Sequence, residues 1–338
     1  MLFELFPTLA GRVPRASLGS FPTPVEDASG VLAAEGMPGE LWLKRDDLSS
    51  SVYGGNKVRL LEHLLGAARA RGATAVYSTG AVGSNFAVAT ALHAPRVGLE
   101  PRAICFPQPL TPDGERSQRA VARRAQVVEV AHWSLLPVAS TQARRRAAER
   151  DERVEILSQV GMEPEALFGY VGAGLELAQQ IADGACPAPA RVVLPIGSAA
   201  TSAGILAGLS LAKALGLLPH ELRLCAVRIA AFPLSRRGRV LTLCLRALER
   251  LAQLAGRPAL ALSKRDLLPS EVVTDQLGSG YAEPTPSGRA AREAFARAGR
   301  ALLDDTYTAK AAAHVLATSA RDAGPTLFWC TKSSVAPD

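Results

Sequence analysis

The sequence predicts an α/β fold of two lobes, with open, twisted, mostly parallel sheets flanked by helices. Three observations predict it. Short apolar, β-branched runs alternate with helical patterns from about Leu41 onward, as expected for parallel strands joined by right-handed helical crossovers. At 338 residues the chain can bury a large core and is expected to divide into two lobes. A hydrophobic content of 48% against 20% charged is that of a globular protein.

The strand candidates, in order, are LWLKR, AVYSTG, RAICF, QVVEV, RVVLPIG, LRLCAVRI and TLFWCT. Between them lie helical patterns: KVRLLEHLLGAARARG, NFAVATALHAPRVG, EALFGYVGAGLELAQQI and TSAGILAGLSLAKALG. The segment ACPAPAR, residues 185–191, is a proline-marked loop ahead of a strand. The longest apolar stretch, ILAGLSLAKALGLL, contains a lysine and is too short to span a bilayer, so no membrane partner is expected.

Composition narrows the function. Five cysteines (Cys105, Cys186, Cys225, Cys244, Cys330) are widely spaced without a CxxC pair. That argues against a disulfide framework or a zinc or other metal site, and for a reducing, cytoplasmic setting. The N-terminus lacks the basic-then-apolar order of a signal peptide. Net charge is +7, but the arginines of QARRRAAERDER and RAAREAFARAGR are interleaved with acids, and aromatics are 5%. A solvated surface explains this better than a nucleic-acid partner.

Three stretches suggest chemistry. In YGGNKVRLLEHLL, Lys57 opens a helix, where the macrodipole disfavours a cation; the residue either snorkels into solvent or is held as a neutral amine. Ser84 and Asn85 sit where a strand gives way to a helix, and Gly197–Thr201 do the same. The carboxyl ends of parallel strands bind ligands in open α/β sheets, and helix starts attract anions. The second turn, with its small residues and the hydroxyls of Ser198 and Thr201, is a candidate phosphate cradle. It lacks the lysine of a Walker A loop and the spacing of a dinucleotide fingerprint. Taken singly, Ser84 reads equally as a helix cap, and the Gly197 loop as a tight turn.

Together, in chain order, FPTPVE, LWLKRDDLSSSVYGGNKVRLLE, STGAVGSN, ALFGYVGAGLELAQQI, LPIGSAATSAG, LGSGYAEPTPSGRAA, DDTYTAKA and FWCTKSS resemble the fold type II pyridoxal-phosphate enzymes related to tryptophan synthase β. The nearer resemblance is to the D-cysteine desulfhydrase and 1-aminocyclopropane-1-carboxylate deaminase branch. The resemblance implies pyridoxal 5′-phosphate as cofactor, with Lys57 bonded to it. It further implies that Gly197, Ser198, Ala199, Ala200 and Thr201 hold the phosphate and that Asn85 bonds the phenolic oxygen. Ser84, Asn85 and the Phe86 amide would bind the substrate carboxylate, and Ser84 would assist proton transfer. Tyr281 and Tyr307 match two active-site tyrosines, and Thr331 would approach the pyridine nitrogen with Thr308 nearby. A large lobe of residues 1–57 and 168–338 would bind the cofactor, and an inserted lobe, residues 58–167, would close on the substrate. A homodimer is expected by the same resemblance.

The implied activity is α,β-elimination on a small α-amino acid, as in a D-cysteine desulfhydrase, giving pyruvate, ammonia and the leaving group. A neutral residue at the pyridine nitrogen suits that better than cyclopropane ring opening. The alternatives are the cyclopropane deaminase, an amino-acid racemase or β-replacement enzyme, and a non-catalytic ligand-binding relative. Several positions depart from the pattern. Phe86 replaces a polar residue, and Ala199 and Ala200 replace a glycine pair, which strains alanine if φ is positive. Gly161–Met162 interrupts a Gly-Gly pair, Ala282 replaces glycine, and Cys330 and Lys332 flank Thr331 in place of His and Gly.

Overall fold

The computed structural model describes residues 1–158, 162–218, 220–230, 233–321 and 324–337; Gly161 lies outside them. In chain order, helix α1 (Leu2–Leu5), strand β1 (Val25–Asp27), α2 (Ser29–Ala34), β2 (Leu41–Lys44) and α3 (Lys57–Ala70) come first. Then follow β3 (Ala75–Ala81), α4 (Asn85–His93), β4 (Glu100–Phe106), α5 (Pro112–Arg124), β5 (Gln126–Glu129), α6 (Leu136–Ala148) and β6 (Val154–Leu157). The chain continues through α7 (Phe168–Ala182), β7 (Arg191–Ile196), α8 (Ala200–Ala214), β8 (Arg223–Arg228), α9 (Arg237–Ala255) and β9 (Ser270–Val273). It ends with α10 (Pro286–Arg297), α11 (Thr308–Thr318) and β10 (Thr326–Trp329).

Two sheets result. A six-stranded sheet runs β1-β2-β10-β7-β8-β9 and a four-stranded sheet runs β5-β4-β3-β6. All pairings are parallel except β1 with β2. The smaller sheet is built wholly from residues 75–157, so it interrupts the larger one in sequence. Each of the seven strands expected from sequence is present. The three that were not expected, β1, β6 and β9, are all sheet edges. An edge strand is covered on fewer sides, and apart from buried Leu157 these carry intermediate or exposed positions with charged residues among them.

The main core spans both sheets and includes α3, α4, α7 and α8. Helices α7 and α8 meet backbone to backbone, because a side chain at Gly208 would overlap the Val171 carbonyl. That contact lets α8, buried from Ala200 to Ala212, sit under the large sheet and present its N-terminus at the strand ends. Among the described residues, no helix is long and apolar enough to cross a membrane, and no cluster of metal-ligating side chains occurs.

Candidate active site

Strands β2, β10 and β7 are adjacent and parallel, so the segments leaving their carboxyl ends share one edge of the sheet. Those segments carry Lys57, Thr331 and Gly197–Thr201. One residue ties them together. Asn56, at the N-cap of α3, does not cap its own helix. Its Nδ2 donates to Thr201 Oγ1 at 2.9 Å and its backbone N–H to the Thr331 carbonyl at 3.1 Å.

The turn that delivers Lys57 is fixed from behind. Gly55 has φ +91°, and a side chain there would come within 2.7 Å of the Thr331 carbonyl; at Gly54 it would overlap the Asp47 carbonyl. Only glycine fits both constraints. The KRDD run is scaffold for this turn. Buried Lys44 meets Glu176 at 2.5 Å, and Arg45 grips Asp47 through two bonds of 2.9 and 2.8 Å. Asp46 and Glu176 share Arg59 at 2.8 and 2.9 Å, and the Asp46 carbonyl accepts the Gly55 N–H at 2.8 Å.

Lys57 is the first residue of α3 and is partly exposed. Burial pushes its pKa down to about 8 by desolvating the ammonium. The shift enlarges the neutral fraction that a nucleophile or base requires.

The Gly197 loop meets α8 at Ala200. The first-turn N–H groups of a helix have no partner within it, and small residues leave them open to an anion. Ala199 is held at φ +69°, in the left-handed region, while Ala200 is the first helical residue. The strain expected of the alanine pair therefore falls on Ala199 alone. Ala282, with φ +60°, is a second such site. Arg239 backs the loop by donating to the Ser198 carbonyl at 3.2 Å.

After β3 of the smaller sheet, Ser84 caps α4, its Oγ accepting the Phe86 N–H at 3.2 Å. The hydroxyl proton remains available to donate. The Phe86 ring is fully buried in the main core, so the apolar replacement expected near the carboxylate loop faces away from the cleft. The Phe86 amide is already engaged by Ser84. Asn85 lines the cleft, where its Oδ1 accepts from Lys332 at 2.6 Å and from Tyr53 at 3.3 Å.

Tyr281 and Tyr307 line the same cleft as a hydrogen-bonded pair, rings nearly perpendicular at 81°. Burial pushes Tyr281 up to about 12 and Tyr307 also well up. Helix α11 holds the loop carrying Tyr281: Lys310 donates to the Leu277 and Gly280 carbonyls at 2.8 Å each, and His314 Nδ1 lies 2.8 Å from Asp275.

Thr331 is nearly buried and its hydroxyl makes no hydrogen bond among the described residues. Thr308 requires a correction. Its hydroxyl donates to Asp304 Oδ1 at 2.7 Å and accepts the Asp304 N–H at 2.8 Å, at 1% exposure. It is a structural clasp at the start of α11, not a group turned to the cleft.

Sequence reasoning did not assign Tyr53, Lys332, Gln108 or Thr111, all on or beside the cleft. Thr111 was findable, since a threonine before Pro-Asp is a helix-start signal. One array outside the cleft resembles a nucleophile and base: Cys225 Sγ lies 3.4 Å from His314 Nε2. Cys225 is in the core, and burial pushes its thiol up to about 12, which keeps it protonated and inert.

Comparison with known proteins identifies the family. The family described as pyridoxal-phosphate dependent enzymes matches residues 16–330. A nocardicin C-9′ epimerase from Nocardia uniformis subsp. tsuyamanensis is 36% identical, over 96% of this chain and 94% of its own. A D-cysteine desulfhydrase from Klebsiella pneumoniae subsp. pneumoniae is 29% identical, over 94% and 93%. A solved structure of an ACC deaminase homologue superposes with a TM-score of 0.79 at 25% identity, covering 98% of this chain and 95% of that one. With a match over nearly its whole length and a lysine poised at the joined strand ends, the chain belongs to the pyridoxal-phosphate-dependent enzyme family.

Proposed function

We propose that the protein removes the α-proton of a small amino acid with Lys57 and then releases a group from the β-carbon, yielding pyruvate, ammonia and the leaving group. The observation that carries this reading is the meeting of the segments that bear Lys57, Thr331 and Gly197–Thr201 at one edge of the sheet, tied together by Asn56. Lys57 is lowered to about 8 while Tyr281, paired with Tyr307, is raised to about 12. Environments that drive titratable groups apart mark the base and the acid.

The donor set fits the cofactor. Lys57 would join its aldehyde, the small residues and hydroxyls of Gly197–Thr201 would take its phosphate at the start of α8, and the unbonded hydroxyl of Thr331 would meet the pyridine nitrogen. Asn85 would hold the phenolic oxygen. When bound, the cofactor draws electrons from the substrate's α-carbon and makes its proton acidic. Ser84 and the N–H groups at the start of α4 would orient the substrate carboxylate, with Asn85 beside them. Lys57 would accept the α-proton, and the Tyr281–Tyr307 pair would give a proton to the departing group. Thr331 is neutral, which suits a reaction with a good leaving group. Residues 58–167 would act as the unit that closes over the substrate and excludes water, and the protein would work as a homodimer.

A second reading has its own support: the relative at 36% identity is an epimerase. In that case the tyrosine pair would return the proton to the α-carbon, on the face opposite its removal. One experiment separates the outcomes. D- and L-cysteine, β-chloroalanine and 1-aminocyclopropane-1-carboxylate are incubated in D2O with the cofactor-loaded enzyme. Pyruvate and ammonia from a β-substituted amino acid support elimination. Deuterium incorporation with inversion and no pyruvate would transfer the assignment to epimerisation, and 2-oxobutyrate from the cyclopropane would transfer it to the deaminase.

A further inference from the structure

Lys332 follows Thr331 on the segment after β10, and its ammonium reaches the start of α4. It donates to Asn85 Oδ1 at 2.6 Å and to the Tyr53 hydroxyl at 3.0 Å, and Tyr53 donates to the same Oδ1 at 3.3 Å. Lys332 forms no ion pair with a carboxylate among the described residues. Burial disfavours its charge, but the Tyr53 hydroxyl and the carboxylates of Asp304 and Asp113 outweigh that and hold it above the ordinary lysine value. It is a cation in the cleft.

This three-way contact has a direction. A carboxamide has an accepting end and a donating end. The Tyr53 hydroxyl, which both donates and accepts, is compatible with either. An ammonium has donors only. With Lys332 in place the oxygen of Asn85 must face it, and the amine end turns away. That Nδ2 group makes no hydrogen bond among the described residues, and Asn85 lines the cleft.

We propose that Lys332 is a positioning residue that locks the Asn85 carboxamide with its amine end, not its oxygen, presented to the anionic phenolic oxygen of the bound cofactor. The inference rests on the reading that Asn85 holds that oxygen. Without the lysine, Tyr53 alone would permit both orientations, and the reversed one would set oxygen against oxygen.

The test uses the full chain with Lys332→Gln, Lys332→Arg and Asn85→Ala, read by the cofactor dissociation constant, the position of its visible absorption band and the melting temperature. Glutamine fills the space but can offer either end to Asn85, while arginine, like lysine, only donates. Loss of the charge-assisted contact should weaken cofactor binding about tenfold in Lys332→Gln and shift the band. Lys332→Arg should stay close to the parent protein, and both should melt within about 2 °C of it. If Asn85→Ala changes neither affinity nor band, the Asn85 reading fails and takes this inference with it. If Asn85→Ala changes both and Lys332→Gln changes neither, the Lys332 role alone is overturned. It is also overturned if Lys332→Gln unfolds the protein, or if arginine is as damaging as glutamine.

Discussion

Lys57 shows how a residue with an ordinary chemistry is retuned by position. A free lysine at pH 7 is neutral in about three molecules per ten thousand; at a pKa of about 8 the fraction is roughly a tenth. Attachment of the cofactor to Lys57, which needs the neutral amine, should therefore gain rate as pH rises through about 8 and level off above it, followed by the growth of the visible band after adding pyridoxal phosphate to the cofactor-free protein. Ala199 makes the opposite point, that a residue can be a poor local choice. Its φ of +69° costs an L-residue about 1 kcal/mol. Ala199→Gly should raise stability by about 0.5–1 kcal/mol, less the extra freedom glycine gains in the unfolded chain. Thermal melting checks it, and a lower midpoint would show that the loop is not strained. The sequence suggested strain at a pair of alanines; which of the two bears it depends on where α8 begins, and that was visible only in the backbone. Tyr53 and Lys332 were likewise in view as letters, but their meeting at Asn85 joins residues 279 and 247 positions apart, a separation no local pattern reports.

At the scale of elements, the KRDD run of residues 44–47 turns out to be support. Lys44, Asp46, Arg59 and Glu176 form a buried ionic cluster that clamps β2, α3 and α7 around the turn before Lys57. Breaking a buried pair from one side leaves charges uncompensated, so Glu176→Gln should cost about 3–5 kcal/mol, measured by urea unfolding. Burial alone would raise the Glu176 carboxyl, but Arg59 and Lys44 hold it down at about 2, against 4.5 for the ordinary group. Its folded pKa is depressed, so its stabilisation is complete above the unfolded value and disappears as pH falls through about 2. A variant as stable as the parent would mean that packing, not charge, carries the clamp. The central strands were legible because burial on both faces demands continuous apolar runs. The edges β1, β6 and β9 were not, because they carry no such runs. Helix α4 was legible as a helix, but its last expected turn is a separate short 3₁₀ segment, Ala94–Val97.

At the scale of the molecule, the site exists because topology brings distant segments to one place. The lysine turn, the Gly197 loop and Thr331 leave three neighbouring parallel strands, and the segment bearing a second sheet, inserted between β2 and β7 in sequence, carries Asn85. That convergence was inferable from strand–helix alternation and the rule that ligands bind at strand carboxyl ends. The partners of each group were not, since hydrogen bonds such as Asn56 to Thr201 link residues far apart in the chain. The account depends first on Lys57 being the residue that binds the cofactor covalently. The most direct test is the visible absorption spectrum of the purified protein after incubation with pyridoxal phosphate and desalting, with Lys57→Ala treated in parallel. A retained visible band in the parent protein that is missing from Lys57→Ala is the predicted result. A band of equal strength in both, or in neither, would contradict it.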